Sequence, residues 1–252
     1  MCTVNKGKSL TSATISIFMP AYNAERHIEG VLCRISHELW NIIKNLWIIN
    51  DGSKDSTINV VNNLKIKNPK IQVINFMHNK GYGNAVKEGL LKCKQDNCDY
   101  AVCLHADGQY PPEVILEFVN NMMQKNIDIL QGSRIASGTA LSGGMPLYKF
   151  LAGKMLNILE NFVFRLNLTD YHSGMLFYSK KALNILPFNK FSSSFDFDLE
   201  VIACARAKNL VIYELPIPTR YANEISYLNP LEYGFRILFV LLKYLLGKYK
   251  KI

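Results

Sequence analysis

Tryptophan and long apolar runs are both scarce in this chain of 252 residues, which contains 2 Trp although 49% of its residues are hydrophobic. No uninterrupted apolar run approaches the roughly 20 residues that span a bilayer. Near the first residue, no charged segment is followed by a short apolar stretch, so we expect no export signal. We therefore expect a cytoplasmic protein, large enough to bury a full core as one α/β domain.

Cysteine is present, but not in a pattern that builds disulfides or zinc sites. The 6 Cys are spread along the chain, and without an export signal they are expected to be free thiols. Four residues separate Cys93 from Cys98, and four separate Cys98 from Cys103. Zinc ligands are usually separated by two residues, and no paired histidines follow. A zinc site is therefore disfavoured.

Acidic residues are fewer than basic ones. The chain has 20 Asp and Glu and 29 Lys and Arg, which gives a net charge of +9. Such a charge suits nucleic acid, an anionic membrane surface or phosphorylated substrates. Basic side chains crowd the C-terminal end at Arg236, Lys243, Lys248, Lys250 and Lys251. No nucleic-acid motif and no basic stripe interleaved with aromatics occurs, so no nucleic-acid partner is expected.

Short apolar runs that alternate with helical patterns predict the fold. The runs lie at residues 15–19, 46–50, 71–76, 100–104 and 127–131, and none shows the alternation of a half-exposed strand. Helical periods separate them, including one at residues 28–39 and a stronger one at 114–123. We predict an α/β fold with a mostly parallel sheet, whose right-handed crossovers align the strand ends along one rim.

The second half of the chain is less regular. A segment rich in Gly, Ser and Thr at residues 137–146 predicts a flexible loop, followed by a helix at 147–165. A strand at 173–178, a helix carrying Asp198 and Glu200, and a strand at 210–215 complete the body. Residues 234–246 are nearly all apolar except Arg236 and Lys243, which share one helix face. This pattern predicts either a helix lying in a membrane interface or a C-terminal helix packed on the body or in a dimer.

The most informative motif is HADGQYPPE at residues 105–113, which follows a buried strand. Asp107 therefore stands at the carboxyl end of a strand, where open α/β sheets bind ligands. Asp107 and Gln109 offer two oxygen ligands to a hard divalent cation that also holds substrate phosphates. The alternative is an Asx turn in which Asp107 caps the next helix.

Two more motifs follow the first two strands. In NDGSKDST at residues 50–57, Asp51 is expected to be an exposed carboxylate that accepts hydrogen bonds from a nucleobase, while Asp55 or Ser56 caps the helix. In PAYN at residues 20–23, Asn23 is expected to be an N-cap, and Tyr22 offers a stacking face or a hydroxyl.

Two other motifs suit phosphate groups. NKGYGNA at residues 79–85 places small residues before a helix N-terminus, which favours negative charge, although a plain Gly-rich turn is the alternative. It is neither a Walker sequence nor the dinucleotide fingerprint. GSR at residues 132–134 supplies the Arg134 guanidinium at the fifth strand end, where it suits a phosphate.

In this order and spacing, the five motifs resemble family 2 glycosyltransferases over about residues 14–220. Within the family, the chain looks most like the dolichyl- or polyprenyl-phosphate sugar synthases and their soluble bacterial relatives in surface-polysaccharide or glycoconjugate synthesis. The resemblance implies a GT-A fold, a Rossmann-like sheet flanked by helices. It also implies a UDP- or GDP-sugar donor, Mg²⁺ or Mn²⁺, inversion at the anomeric carbon, and a lipid-phosphate or glycan acceptor.

The resemblance also divides the chain and assigns residues. A glycosyltransferase domain would cover residues 1–220, with a nucleotide-binding part at about 14–134 and an acceptor-side part at about 135–220, and residues 221–252 would form a basic amphipathic tail. Matching motif positions place the substrate near Pro20, Tyr22, Glu25, Asp51, Lys80 and Gly81, the metal at Asp107 and Gln109, and a phosphate at Arg134.

Two residues depart from the family pattern. The family often has its acid directly after the Asn, whereas Ala24 stands between Asn23 and Glu25 here. His105 occupies a position where the polyprenyl-phosphate synthases usually have Asp. As a neutral imidazole, His105 either ligates the metal, which Mn²⁺ accepts more readily than Mg²⁺, or orients the nucleotide and fills space beside the strand.

The acceptor decides whether a base is needed. A lipid phosphate is already ionised, whereas a sugar hydroxyl needs a carboxylate within hydrogen-bond reach. The candidate bases are Asp170, Asp196 and Asp198, of which Asp198 is favoured. Alternatives are a glycosyltransferase that uses a sugar hydroxyl without a lipid, and a catalytically degenerate nucleotide-sugar binding subunit, which the departure at His105 suggests.

A third alternative, a nucleotidyltransferase, lacks the basic Gly-rich signature expected near the first strand. With the tail as an interfacial helix, we expect a peripheral protein at the inner face of the cell membrane. A homo-oligomer is the alternative use of the tail helix.

Overall fold

The computed structural model describes residues 13–218 and 229–252. Its strands are β1 (Ile15–Ala21), β2 (Ile43–Asn50), β3 (Ile71–Asn75), β4 (Tyr100–Cys103), β5 (Ile129–Ser133), β6 (Leu176–Ser179) and β7 (Ile212–Pro216). Its helices are α1 (Ile28–Cys33), α2 (His37–Ile42), α3 (Thr57–Lys67), α4 (Tyr82–Gln95), α5 (Ile115–Lys125), α6 (Leu147–Phe164), α7 (Lys180–Ile185), α8 (Phe197–Ala207) and α9 (Pro230–Leu245).

The seven strands form one sheet in the order β3-β2-β1-β4-β6-β5-β7. Strands β1, β2, β3 and β4 pair in parallel, as do β5 and β7, which confirms the predicted α/β fold with a mostly parallel sheet. Strand β6 runs antiparallel to both β4 and β5. It begins beside the end of β5, where Leu176 pairs with Gln131, because the chain between them returns to the same rim of the sheet.

The central strands β1, β4, β5 and β6 are buried on both faces, which explains why they lack polar alternation, whereas the edge strands β3 and β7 are partly exposed. In β1, Ile15, Ile17 and Met19 face a core layer formed with α1, α2, α3 and α5. Phe18 faces the opposite layer, which includes side chains of α4, α7, α8 and α9. The rim therefore remains the part of the sheet where polar side chains can meet.

The helical pattern predicted at residues 28–39 is divided between two helices, α1 and α2. Helix α1 ends at Cys33, and Ser36 starts α2 by accepting a hydrogen bond from the Leu39 N–H at 3.1 Å. A serine side chain in this position competes with the helical backbone and starts a new helix instead.

The tail helix α9 packs on the body through α8. Buried side chains of α9 include Ile237 and Val240, and Glu200 of α8 accepts hydrogen bonds from Lys243 Nζ at 2.9 Å and from the Tyr249 hydroxyl at 2.6 Å. In the described parts of the chain, none of the helices has the length and apolar character needed to cross a membrane. The expected boundary between residues 220 and 221 lies outside the described residues.

Candidate active site

The rim of the sheet opens into one cavity of about 1380 Å³ that gathers nearly all of the predicted site residues. The predicted residues that line it are Pro20, Tyr22, Asp51, Lys80, Gly81, His105, Asp107, Gln109, Arg134 and Asp198. They come from the ends of β1, β2, β4 and β5, from the loop after β3, and from α8. The predicted alignment of strand ends along one rim therefore brings the motifs together as expected.

Asp51 is buried and hydrogen-bonded, so the expectation of an exposed carboxylate is wrong. Its Oδ1 accepts a hydrogen bond from the Lys80 N–H at 2.7 Å, and its Oδ2 accepts one from the Gly81 N–H at 3.1 Å. The loop after β3 folds over the end of β2 and covers the carboxylate. Asp51 thus holds the glycine turn in place while still lining the cavity.

Gly81 is required by geometry at this turn. Its φ is +93°, and a Cβ there would lie 2.6 Å from the Ser193 carbonyl oxygen. The neighbouring Gly83 donates its N–H to the same carbonyl at 2.9 Å. The glycine turn therefore packs directly against the segment that precedes α8.

Glu25 lies among the residues that support the rim and not among those that line the cavity. Its Oε2 accepts a hydrogen bond from the Ser56 N–H at 2.7 Å, and Asp55 Oδ1 accepts one from the Thr57 N–H, at the first residue of α3, at 3.0 Å. Ser56 occupies the N-cap position of α3 but makes no side-chain cap hydrogen bond, so the expected cap by Asp55 or Ser56 is replaced by a contact of Asp55 with the first turn. Asn23 is not an N-cap, contrary to the prediction. Its φ is +51° and its Oδ1 accepts a hydrogen bond from the Lys54 N–H, which joins the first two strand-end loops.

Asp107 is half-buried, and its Oδ1 accepts a hydrogen bond from the Gln109 N–H at 3.0 Å, with Gly108 between them at φ +81°. This is an Asx turn, but Asp107 does not cap the next helix, because neither the turn at Pro112–Val114 nor α5 has a side-chain cap. Across residues 13–218 and 229–252, no three His, Cys, Asp or Glu side chains converge into a metal cage.

The donor set at this turn nevertheless fits a hard cation. Asp107 and Gln109 both carry side-chain oxygens and line the cavity. A cation held there would complete its coordination with water and with the phosphate oxygens of a substrate, as Mg²⁺ commonly does.

His105, Tyr82 and Asp198 form a hydrogen-bonded row across the cavity floor. The Tyr82 hydroxyl donates to Asp198 Oδ2 at 2.8 Å and lies 3.2 Å from His105 Nε2. Asp198 is 8% exposed, and its Oδ1 has no hydrogen-bond partner among the described residues. Burial raises the pKa of Asp198 to about 7 and lowers the pKa of His105. Asp198 can therefore take up or release a proton near neutral pH.

Arg134 is held by Asp170 in a two-point contact. Arg134 Nε lies 2.8 Å from Asp170 Oδ2, and Nη2 lies 3.0 Å from Oδ1 and 2.9 Å from the His172 carbonyl oxygen. Burial alone would raise the pKa of Asp170, but the Arg134 guanidinium outweighs it and the net shift is downward. Asp170 is therefore an ionised partner that orients Arg134.

Asp196, the third candidate base, accepts the Ser192 hydroxyl at 2.7 Å and lies 3.6 Å from Arg236 Nη1. Among the three carboxylates, the cavity-facing Asp198 has the surroundings of an acid or base.

Sequence reasoning missed several residues of this site. Tyr82 stands next to Gly81 in a motif whose glycines are its sequence signal, and Tyr110 lies within the predicted metal motif. His172 and Tyr233 also line the cavity, but neither belongs to a recognisable motif. The apolar helix at residues 147–164 contains one acid, Glu160. A lone acid in such a pattern is a sequence signal for a buried polar contact near the site.

A mostly parallel sheet that presents a carboxylate turn, a glycine turn and a clamped arginine at one rim has the arrangement of an α/β enzyme with its site at the strand ends. The profile described as glycosyl transferase family 2 matches residues 16–186, and the chain belongs to this family. It is a glycosyltransferase with the GT-A fold.

Two glycosyltransferases are similar to this chain in sequence. The UDP-N-acetylglucosamine–dolichyl-phosphate N-acetylglucosaminyltransferase of Methanococcus voltae is 29% identical over 248 residues, which cover 93% of this chain and 97% of the relative. The dolichol-phosphate mannosyltransferase of Pyrococcus furiosus is 31% identical over 140 residues, which cover 56% of this chain and 38% of the relative.

Solved structures agree with the fold. Glucosyl-3-phosphoglycerate synthase of Mycobacterium tuberculosis, bound to phosphoglyceric acid, superposes with a TM-score of 0.68 at 21% identity, covering 92% of this chain and 80% of the other. A complex of that enzyme with Mn²⁺, UDP-glucose and phosphoglyceric acid gives a TM-score of 0.67 at 17% identity, covering 96% of this chain and 85% of the other.

Proposed function

We propose that the protein transfers a sugar, with inversion, from a UDP-sugar or another nucleoside-diphosphate sugar to a polyprenyl or dolichyl phosphate. The observation that carries this proposal is the position of the cavity. It is lined on one side by the strand-end motifs and on the other by residues of α6 and α9, two helices whose outward side chains are apolar. The acceptor named for the Methanococcus voltae relative, dolichyl phosphate, supports it.

The donor lies along the rim in this proposal. Pro20, Tyr22 and Asp51 border the nucleoside, Lys80 and Gly81 border the diphosphate, and Glu25 supports their loops from behind. Asp107 and Gln109 hold Mg²⁺ or Mn²⁺, which when bound offsets the charge of the departing nucleoside diphosphate. Arg134, oriented by Asp170, donates to a phosphate group.

We assign His105 the orienting role rather than metal ligation. Its Nε2 lies 3.2 Å from the Tyr82 hydroxyl, which in turn donates to Asp198. In this arrangement Asp107 would be the single acidic side chain of the motif that holds a metal, and donor phosphates would supply further oxygens.

The acceptor side is apolar and bordered by positive charge. Exposed apolar side chains on α6 include Met155, Ile158 and Phe162, the last 81% exposed, and those on α9 include Leu231 and Phe235. The two helices contact each other where the ring of Phe164 packs edge-on against that of Tyr244, with centroids 4.9 Å apart. A basic segment, Lys248, Lys250 and Lys251, follows α9.

Such a pair of amphipathic helices beside basic residues suits the interface of an anionic membrane. We infer a peripheral protein at the inner, cytoplasmic face of the membrane. The nucleotide-binding part then covers about residues 14–134, the acceptor-side part about 135–220, and the membrane-facing tail 221–252.

A second candidate is transfer to a sugar hydroxyl without a lipid. The observation that favours it is Asp198, whose buried Oδ1 has no partner among the described residues and whose pKa is raised to about 7 by burial. A hydroxyl acceptor must lose a proton during attack, and a carboxylate in this state can accept it.

The deciding experiment measures transfer from radiolabelled UDP-, GDP- and dTDP-sugars, with Mn²⁺, to polyprenyl phosphate in vesicles and to soluble glycans. We expect a sugar-phosphate lipid as product. Asp107→Asn should lower kcat by about 100-fold or more, because several kcal/mol of charge stabilisation are lost. The matched control is Glu117→Gln, an exposed acid on α5.

Asp198→Asn distinguishes the two acceptors. With a lipid phosphate, which needs no base, we expect kcat to change by less than about tenfold, whereas with a sugar hydroxyl a loss of about 100-fold to 10⁴-fold is expected. Stabilisation by a nucleotide sugar without transfer to any acceptor would instead identify a degenerate binding subunit.

A further inference from the structure

Glu160 is a fully buried acid behind the cavity wall that the proposed mechanism leaves unused. It is the sole acidic residue of α6, and neither of its carboxyl oxygens has a hydrogen-bond partner among the described residues. His172 Nε2, which also has no hydrogen-bond partner among the described residues, lies 3.5 Å from Glu160 Oε2. A buried carboxyl group without donors is costly when ionised, so its presence requires a reason.

His172 connects this acid to two other parts of the molecule. Its Nδ1 lies 3.0 Å from the Tyr233 hydroxyl of α9. Its backbone carbonyl accepts a hydrogen bond from Arg134 Nη2 at 2.9 Å, and its N–H donates to Asp170 Oδ1 at 3.2 Å. A shift of the His172 side chain would therefore disturb the Arg134–Asp170 contact, because the backbone of His172 is hydrogen-bonded to both residues.

Burial, more than the surrounding charges, favours the protonated form of Glu160. The loop that packs against α6 contributes Asp170, Tyr171 and His172, α9 contributes Tyr233, and β5 is followed by Arg134. Burial, together with the Asp170 carboxylate, raises the pKa of Glu160 to about 8. Burial lowers the pKa of His172 to about 4. These shifts favour uncharged forms of both groups at neutral pH, in which the Glu160 hydroxyl would donate towards Nε2 while the Nδ1–H would donate to the Tyr233 hydroxyl.

We propose that Glu160, His172 and Tyr233 form a linkage that positions Arg134 and ties it to α6 and α9, in which the 3.0 Å contact of His172 Nδ1 with the Tyr233 hydroxyl is joined by the 3.5 Å approach of Glu160 Oε2 to Nε2. The proposal rests on the phosphate-binding role proposed for Arg134. Ionisation of Glu160 removes the donor to Nε2 and places a second negative charge near Asp170, which competes for the guanidinium. Glu160 is thus a positioning residue, and transfer should decline on the alkaline side as it loses its proton.

The test compares Glu160→Gln, whose amide N–H₂ can donate to Nε2 at any pH, with Glu160→Ala, which cannot. kcat and the donor KM are measured from pH 6 to 9.5. We expect the wild-type kcat to fall with an apparent pKa near 8 and Glu160→Gln to lose that alkaline limb while retaining at least half of the activity at pH 7. Glu160→Ala should lower kcat about tenfold or more at every pH. Glu117→Gln serves as the control.

Retention of the alkaline limb in Glu160→Gln, or an unchanged kcat and pH profile in Glu160→Ala, would overturn the proposal. Because the Ala variant can fail to fold, the ring nitrogens of His172 are also followed by ¹⁵N NMR, with the signal assigned from His172→Gln. We expect a neutral imidazole from pH 5.5 to 8, and titration near pH 6.5 would contradict the linkage. Tyr233→Phe should lower kcat without weakening vesicle binding; an unchanged kcat would remove α9 from the linkage.

These readouts separate the linkage from the proposed function. If no lipid phosphate is glycosylated but UDP binds, calorimetry of UDP binding across the same pH range and the NMR titration still report on Glu160. A pH-dependent loss of UDP affinity that disappears in Glu160→Gln supports the linkage even then. Unchanged UDP affinity together with a titrating His172 contradicts it.

Discussion

Asp107 and Asp198 are two carboxylates that face the same cavity but have different surroundings. Asp107 is half-buried on an Asx turn beside the side chain of Gln109, which suits a cation ligand. Asp198 is buried and receives one hydroxyl hydrogen bond, so burial raises its pKa to about 7. Residue type alone does not separate a ligand from a proton carrier; desolvation does.

A substitution at Gly174 can test how strongly activity depends on the position of the His105 ring. A Cβ at Gly174 would lie 2.6 Å from both Cε1 and Nε2 of His105, so Gly174→Ala should push the ring away from the Tyr82 hydroxyl. We expect kcat to fall about tenfold, which corresponds to roughly 1.4 kcal/mol.

The matched control for this substitution is Gly30→Ala in α1, where a Cβ would meet no atom within 4 Å. That variant should keep its activity and gain up to about 1 kcal/mol of stability from helix propensity. Equal kcat values for the two variants would show that the position of His105 is not critical.

Helices α6 and α9 are held to the body by buried polar contacts although their outward faces are apolar. Glu200 on α8 accepts hydrogen bonds from the Ser192 N–H, Lys243 Nζ and the Tyr249 hydroxyl. Helix packing that relied on apolar contacts alone would leave the orientation of α9 loosely defined, whereas directional bonds to one buried carboxylate define it.

Glu200→Ala should detach the end of the tail. The substitution leaves the Tyr249 hydroxyl and the backbone N–H of Ser192 without their acceptor, so we expect a loss of roughly 2–3 kcal/mol in the free energy of unfolding, measured by urea denaturation. Glu232→Gln, which removes a surface pair with Arg236, should change it by less than about 0.5 kcal/mol. A similar loss in both variants would contradict the anchoring role.

The pair of Glu160 and His172 gives stability a defined pH dependence. Burial raises the pKa of Glu160 from 4.5 to about 8 and lowers that of His172 from 6.5 to about 4. Between pH 4.5 and 6.5, folding moves one proton from imidazole to carboxyl, and the pair contributes no slope. Between pH 6.5 and 8, the folded pair holds one more proton than the unfolded chain, so stability falls as pH rises, by up to about 2 kcal/mol.

In Glu160→Gln this alkaline decline should disappear. The difference in melting temperature between Glu160→Gln and wild type should therefore grow in favour of the variant from pH 4.5 to 8, measured by differential scanning calorimetry. The difference for Glu117→Gln should remain flat. A constant difference for Glu160→Gln would mean that Glu160 ionises equally easily in the folded and unfolded chains.

At the level of the whole molecule, the cavity has a polar wall of strand ends and a wall of two amphipathic helices. The first suits a charged nucleotide and the second suits a lipid, so one cavity can bring two substrates of opposite solubility together. The net charge of +9 and the basic C-terminal end would hold this face against anionic lipid.

Vesicle binding tests the orientation of the molecule. Phe162→Glu and Phe235→Glu, one on each helix, should each weaken sedimentation with vesicles containing phosphatidylserine by at least about tenfold, since each buries a charge where an apolar ring was. Ile66→Glu on α3, at a residue 83% exposed, is the control and should bind normally.

Raising the salt concentration should weaken vesicle binding of the wild type, because salt screens the attraction between anionic lipid and Lys248, Lys250 and Lys251.

Equal vesicle binding by Phe162→Glu, Phe235→Glu and Ile66→Glu would rule out this membrane surface. A wild-type dimer in solution that the helix variants dissociate would assign the apolar faces to a second copy of the chain.

The sheet and the location of the site could be predicted because their signals are local. Buried parallel strands are apolar on both faces, and each polar motif directly follows its strand, so their meeting at one rim follows from topology alone. The break between α1 and α2 also has a local cause, the N-cap residue Ser36. The helical period of the apolar residues on both sides of Ser36 nevertheless indicates helix throughout. The burial of Asp51 could not be predicted, because its hydrogen-bond donors, the N–H groups of Lys80 and Gly81, lie in the loop after β3.

The sequence by itself determined the family, the mostly parallel sheet and the strand-end residues that surround the cavity, since these depend on spacing and period. Only the tertiary structure decided which polar groups are satisfied and which carry a shifted pKa. The row of His105, Tyr82 and Asp198 and the linkage of Glu160, His172 and Tyr233 join residues far apart in the chain. Desolvation and hydrogen-bond geometry are properties of packing, and packing exists only once distant segments have met.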